Sequence, residues 1–385
     1  MKKVLFVLLV FLVTLSSFAA EPAPITSWTR QDSVYPTTPG VLAPQMAGAT
    51  IYGDYIYVLG GNQGQDGDTH RVFKIKVDQF TGALDPAVEV TSFESTLQNY
   101  CYLGNVCAAY NDHIYVGGGG YNVGGPNRND VTFGKIIGDG DIDAAWVHSD
   151  IFPETPAVYD PELGALVIVN GYLYMMGGDG EFGGIFDRCY YAKIKTDGSL
   201  DTWQTGIPLP EAIYFVSACA IGNDIIMTPG LNAKTNTAAQ DTIYVSQTNP
   251  ADGSLGAWTL QTEKFPMPIY GTRLIAVGNT VFAFGGRTVG GAAQSSVWRA
   301  LYDPATHTVG AWTAATDTQL PDAVKYHDAV YSPKSKSLYI VSIRDNGTTI
   351  YNEVWISSPL YDRPVPTPTP TPIPVLRANT WEIYD

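Results

Sequence analysis

The chain has 385 residues, 45% of them hydrophobic, with 39 glycines, 24 tyrosines and a formal net charge of −15. That length holds two or three ordinary domains or one large repetitive one. So acidic a surface repels nucleic acid and anionic membrane, which argues against both as partners.

Residues 1–20 read as an export signal: Lys2 and Lys3, then an unbroken apolar run from Val4 to Val13, then the small-x-small step Ser17-Phe18-Ala19. The run is too short to span a bilayer as a stable helix, no cysteine marks a lipoprotein cleavage point, and no later stretch is long and apolar enough to anchor. The expectation is a secreted, cell-surface or periplasmic protein without membrane insertion. Export places Cys101, Cys107, Cys189 and Cys219 where disulfides persist. Four cysteines allow three connectivities; Cys101–Cys107 is the only locally plausible pair, and the alternative is that some are small buried hydrophobes.

The phrase Ile56-Tyr57-Val58-Leu59-Gly60-Gly61 then sets a repeat. Its apolar pair returns at Ile114-Tyr115, Leu173-Tyr174, Ile225-Ile226, Val281-Phe282 and Leu338-Tyr339, spaced by 58, 59, 52, 56 and 57 residues. Before each of the first five phrases stands a two-residue turn: Gly53-Asp54, Asn111-Asp112, Asn170-Gly171, Asn223-Asp224 and Gly278-Asn279. These are residues that tolerate positive φ. A strand precedes each turn, the phrase is a second strand, and a long polar loop leads to a third, such as Arg71-Val72-Phe73-Lys74-Ile75-Lys76-Val77. A tight turn (Asp197-Gly198-Ser199, Asp252-Gly253-Ser254) introduces a fourth strand carrying Trp146, Trp203, Trp258 or Trp312; unit one has Pro86-Ala87 there instead.

Six units of four antiparallel strands predict an all-β, six-bladed β-propeller over residues 25–363. Unit six lacks its fourth strand, while the orphan Ile25-Thr26-Ser27-Trp28-Thr29-Arg30 carries the tryptophan of one. That stretch is expected to complete the last blade and close the ring, since an open ring leaves two apolar faces uncovered. The apolar strand ending in Gly-Gly, with a tryptophan about 25 residues later, resembles a bacterial kelch-type repeat. The Gly-Gly pair becomes Pro229-Gly230 in unit four and Ser342-Ile343 in unit six. The resemblance implies a fold and, for function, a binding platform or more rarely an enzyme. Residues 364–374 are a Pro/Thr-rich, polyproline-like linker. Residues 375–385, too few to fold alone, form a tail that could dock on a partner as an added strand.

In this topology the loops after the second strands and those leading into the first strands share one face, where propellers carry ligand contacts. Tyr214, Tyr270 and Tyr326 are spaced by 56 residues, with Tyr102 at nearly the same offset and Tyr159 close to it in unit three. They are expected around the channel mouth, each offering a flat apolar face and a hydroxyl; the alternative is that they wedge neighbouring blades. Arg273, Lys325, His327, Asp328 and Glu211 depart from the repeat at that level, and His70 joins His327 on the same face.

No cofactor or metal is expected. The carboxylates Asp139, Asp141 and Asp143 lack the glycine and distal glutamate of a calcium loop. His113, His148 and His307 lie away from the loop face, leaving too few histidines for a copper centre. The reading is a non-catalytic binding module for glycan or protein. The alternative is a carbohydrate-active enzyme on the same face, resembling the sialic acid epimerases or using a glutamate pair among Glu154, Glu162, Glu181 and Glu211 as a glycosidase would.

Overall fold

A computed structural model of the chain describes residues 20–36, 43–61, 70–92, 104–119, 129–153, 161–180, 184–315, 318–343 and 350–364. They build six small antiparallel sheets, the blades of a β-propeller. Blade one runs Gly48–Tyr52, Tyr55–Leu59, Val72–Lys76 and Val88–Val90 from the axis outward. The six first strands touch one another in a closed cycle around the axis, blade six meeting blade one. Trp28–Asp32 pairs antiparallel with Glu353–Ser357 over five residues, Trp28 opposite Ser357, as the outer strand of blade six.

Each blade is buried on both faces, which is why the repeated phrase is a continuous apolar run rather than an alternating one. Ile56 and Val58 enter the core shared with blade six, Tyr57 and Leu59 the core shared with blade two. One apolar cluster fills each of the six joints. The glycines close the phrase for a backbone reason. Gly61 has φ +84°, and a Cβ there would lie 2.6 Å from the carbonyl oxygen of Gln45.

Two polar fastenings recur at the joints. The second-strand tyrosine donates its hydroxyl to the tight-turn glycine of the next blade: Tyr57 to Gly140 O at 3.0 Å, Tyr115 to Gly198 O at 2.8 Å, Tyr174 to Gly253 O at 2.8 Å and Tyr339 to Gly82 O at 2.9 Å. The tryptophan Nε1 donates to a carbonyl at the end of the preceding blade's outer strand: Trp146 to Thr91 O, Trp203 to Asp150 O, Trp258 to Ile207 O and Trp28 to Thr318 O, at 3.0 to 3.4 Å. Four of these indoles thus stand one residue before, or first in, a short outer strand. The joint of blades four and five departs from both patterns. Ile226 has no hydroxyl, Trp312 Nε1 finds no partner among the described residues, and His307, at φ +57°, takes the turn position that Gly253 holds in blade four. There His307 Nδ1 meets Asp224 Oδ2 at 3.0 Å.

Two expectations shift. In blade four Asp224 pairs with Ile221 and opens the second strand, so the turn is Gly222-Asn223, with Gly222 at φ +60°. Cys107, Cys189 and Cys219 are free thiols, so the Cys101–Cys107 bridge is not formed. Burial holds the thiols of Cys189 and Cys219 at about 12. Cys101, Tyr102, Tyr159, Glu154, Glu181, nearly all of the export segment and residues 365–385 lie outside the described residues.

Two residues before each first strand, three in blade four, the chain turns left-handed. The six are Met46, Gly104, Leu163, Phe215, Gly271 and Tyr326, with φ between +54° and +68°. Their backbones link around the axis: Met46 N to Tyr326 O (3.0 Å), Gly104 N to Met46 O (2.9 Å), Leu163 N to Gly104 O (3.0 Å), Val216 N to Leu163 O (3.3 Å) and Gly271 N to Phe215 O (2.8 Å). This girdle ties five of the six joints together at the loop face. A Cβ on Gly104 would sit 2.6 Å from Leu163 Cδ2, whereas one on Gly271 would meet Phe215 Cδ1 at 3.5 Å. We expect Gly104→Ala to lose about 2–4 kcal/mol and Gly271→Ala only about 1–2 kcal/mol, because both bear the left-handed cost and only the first adds a clash. Urea unfolding of the two variants measures this; equal losses would contradict the packing described.

Candidate functional site

The loop face is described most fully over blades four to six, and there the girdle carries an aromatic cluster. Phe215 reaches past Gly271 to stack on Tyr326, with ring centroids 6.2 Å apart and planes at 30°. It meets Tyr270 edge-on at 5.5 Å and lies 5.1 Å from Tyr214. Phe215 and Tyr326 are both half-buried, so each keeps surface open to solvent.

Arg287, the residue after the Gly-Gly of blade five, binds this cluster together. Its guanidinium carbon lies 5.2 Å from the Tyr270 centroid and 5.5 Å from that of Tyr326, within cation–π range. Its Nη1 donates to the Tyr326 hydroxyl at 2.8 Å and its Nε to Gly291 O at 3.0 Å. The second terminal nitrogen makes no hydrogen bond among the described residues. The side chain is positioned by a short hairpin in which Arg287 pairs with Tyr270 and Thr288 with Ile269. The Lys325 ammonium adds a second cation 5.7 Å from the Tyr326 centroid. In a chain of net charge −15, this corner is locally cationic.

The sequence-predicted residues divide by depth. Tyr326 is in the platform. Tyr214 and Tyr270 lie beneath it, 8% and 0% exposed; Tyr270 donates to Asn236 Oδ1 at 2.8 Å, and burial lifts the Tyr214 phenol to about 12. Equal spacing concealed this difference. The first hairpin of blade six, Ser332 to Ser337, is two residues longer than its counterparts, so Lys325 occupies the position of Tyr214 and Tyr270, and Tyr326 occupies that of Phe215.

His327 is 1% exposed and its Nε2 meets Phe284 O at 3.0 Å. Arg273 and Asp328 face the axis below the girdle. Glu211 accepts from Tyr244 Oη at 2.9 Å and from Asn232 Nδ2 at 3.0 Å. His70 is exposed at the start of blade one's third strand, beside Glu89 on the outer edge, and Tyr102 lies outside the described residues.

Phe215 and Arg287 were not singled out by the repeat pattern. The available signal was a phenylalanine directly after a repeating tyrosine, and an arginine directly after a Gly-Gly pair. Chemically, the site offers stacked aromatic planes, a hydroxyl and a guanidinium with donor capacity in hand. Among the described residues no group of three or more His, Cys, Asp or Glu is placed to hold a metal ion.

Fold and site together define a six-bladed β-propeller with an aromatic and arginine platform on its loop face. Comparison with protein-family models and with curated proteins finds no match for the chain.

Proposed function

We propose that the protein is an exported, kelch-type binding module of bacterial origin that takes a glycan or protein ligand on the platform of blades four to six. The observation that carries this reading is the Phe215–Tyr326 stack with Arg287 hydrogen-bonded to the tyrosine. A flat apolar surface beside a guanidinium suits a sugar ring or a planar side chain, which stacks on one and hydrogen-bonds to the other. Export is supported by the apolar run after Lys2 and Lys3; no described helix is long and apolar enough to cross a membrane. Binding is preferred to catalysis because the carboxylates described on this face are already engaged: Glu211 accepts a hydrogen bond on both oxygens and Asp179 pairs with Lys234 at 2.7 Å.

A glycan array and a soluble-protein pull-down with the purified protein test the reading. The expected result is a ligand class whose affinity falls roughly ten- to hundredfold in Phe215→Ala and in Arg287→Met, each still folded at the temperature of the assay. Binding that survives both substitutions in folded protein places the ligand elsewhere.

A further inference from the structure

Beneath the girdle the axis of the propeller is a cavity of about 520 Å³, a volume typical of small-molecule sites. Its wall is the inner edge of the six first strands, and most of the side chains there are small or apolar: Ala49, Ala108, Val167, Ala218 and Ile275 are representative. None of the six girdle residues lines it. The lining begins at Gly164, Ser217, Arg273 and Asp328 and ends at Tyr331 and Pro333, by the hairpin turns of the opposite face. With strands of about five residues the shaft is roughly 13–16 Å long.

Arg273 and Asp328 are the only charged residues of the lining among the described residues, and both stand at the girdle end. They form an ion pair without a direct hydrogen bond between them. Asp328 Oδ2 accepts from Ala49 N at 2.7 Å and Oδ1 from Ala329 N at 2.8 Å, which fastens blade six to blade one. Arg273 Nε donates to His327 O at 3.1 Å and lies 3.5 Å from Asp328 Oδ1. The two terminal nitrogens of Arg273 make no hydrogen bond among the described residues, although the side chain is only 13% exposed. A buried guanidinium fork with vacant donors is matched in shape by a carboxylate, which accepts two parallel N–H bonds.

We propose that the shaft is a second binding site, entered from the hairpin-turn face, for a straight-chain monocarboxylate. The carboxylate lies against the terminal nitrogens of Arg273 and the apolar body fills the shaft. The neighbouring Asp328 weakens but does not cancel the attraction, since its two oxygens are engaged by backbone amides and its nearest approach to Arg273, at Nε, is 3.5 Å, too long for a strong hydrogen bond. The shaft shares no lining residue with the platform above the girdle, so either site can fail without the other.

Isothermal titration of the full chain with saturated monocarboxylates from butyrate to decanoate tests this. Affinity should rise about fourfold per methylene until the chain outgrows the shaft, and the matching alkanols should bind at least tenfold more weakly. Arg273→Met should weaken decanoate binding roughly ten- to hundredfold, and Ala218→Trp, which plugs the shaft and keeps the arginine, should abolish it. The proposal is overturned if no member of the series binds the folded wild-type protein. It is equally overturned if decanoate binds as tightly to folded Arg273→Met, or to folded Ala218→Trp, as to the wild type. Should Arg273→Met not fold, the wild-type series and the plugged variant decide.

Discussion

Deleting residues 21–34 should leave a chain that melts roughly 10 °C or more below the intact protein and self-associates. Those residues supply the whole outer strand of blade six, a five-residue ladder against Glu353–Ser357. They also supply Ile25 and Val34, 6% and 2% exposed, and hold the neighbouring Tyr35 in place. Trp28 packs edge-on against Phe284 at 6.1 Å and donates to Thr318 O on blade five. On the other side, Gln31 exchanges two hydrogen bonds with the backbone of Leu84 in blade one. Arg30 pairs with Asp322 at 2.6 Å, but at an exposed site that adds little.

Burying two or three large apolar side chains stabilises by about 5–8 kcal/mol, a large share of the 5–15 kcal/mol that separates a typical folded protein from its unfolded chain. The deletion also bares the edge of Glu353–Ser357, an invitation to intermolecular pairing. Thermal melting with size-exclusion chromatography measures both effects. An unchanged melting curve with a monomeric profile would sink the closure.

The second large effect is acid sensitivity at His327. Burial, and then the Arg273 charge, push its imidazole down from 6.5 to about 3, against the opposing pull of Phe284 O. Its Nε2 lies 3.0 Å from that carbonyl and its Nδ1 is buried without a partner among the described residues, the arrangement of a neutral ring donating from Nε2. The unfolded chain takes up a proton below about pH 6.5 that the native state refuses until about pH 3. Stability from this group is therefore fully present above pH 6.5 and is lost as pH falls through that window, at about 1.4 kcal/mol per pH unit.

At pH 4.5 the loss should be about 2–3 kcal/mol relative to pH 7. His327→Gln keeps a donor in the same place and cannot take up the proton, so its stability should lack this slope. Asp179, Asp328 and Glu353, whose carboxyls burial raises, act in the opposite direction and largely cancel when the variant is subtracted from the wild type. Urea midpoints at pH 7, 6, 5 and 4.5 read the difference. Parallel pH profiles for the two proteins would refute the neutral buried histidine.

Much of the architecture was legible because propeller blades make the same local demand six times. A second strand buried on both faces must be apolar throughout, and a two-residue hairpin needs residues that tolerate positive φ. Both demands fall on particular side chains, so blade number, strand order and the closing role of Trp28 could be read from spacing alone. Where a turn could be placed in two ways, as at Gly222-Asn223-Asp224, only strand pairing decided it.

The candidate site was less legible. Tyr214, Tyr270 and Tyr326 share one interval along the chain but not one level in space, because a longer hairpin in blade six shifts the register. The girdle left no trace in residue type, since Met46, Gly104, Leu163, Phe215, Gly271 and Tyr326 contribute to it through their backbones.

The sequence by itself thus determined that the chain is a closed ring of six blades, because packing and turn geometry are repeated local requirements written in side chains. Only the tertiary structure decided that a backbone girdle divides the axis, with Phe215, Tyr326 and Arg287 above it and Arg273 below. Those positions depend on hydrogen bonds and ring contacts between residues far apart in the chain, and no spacing along it encodes them.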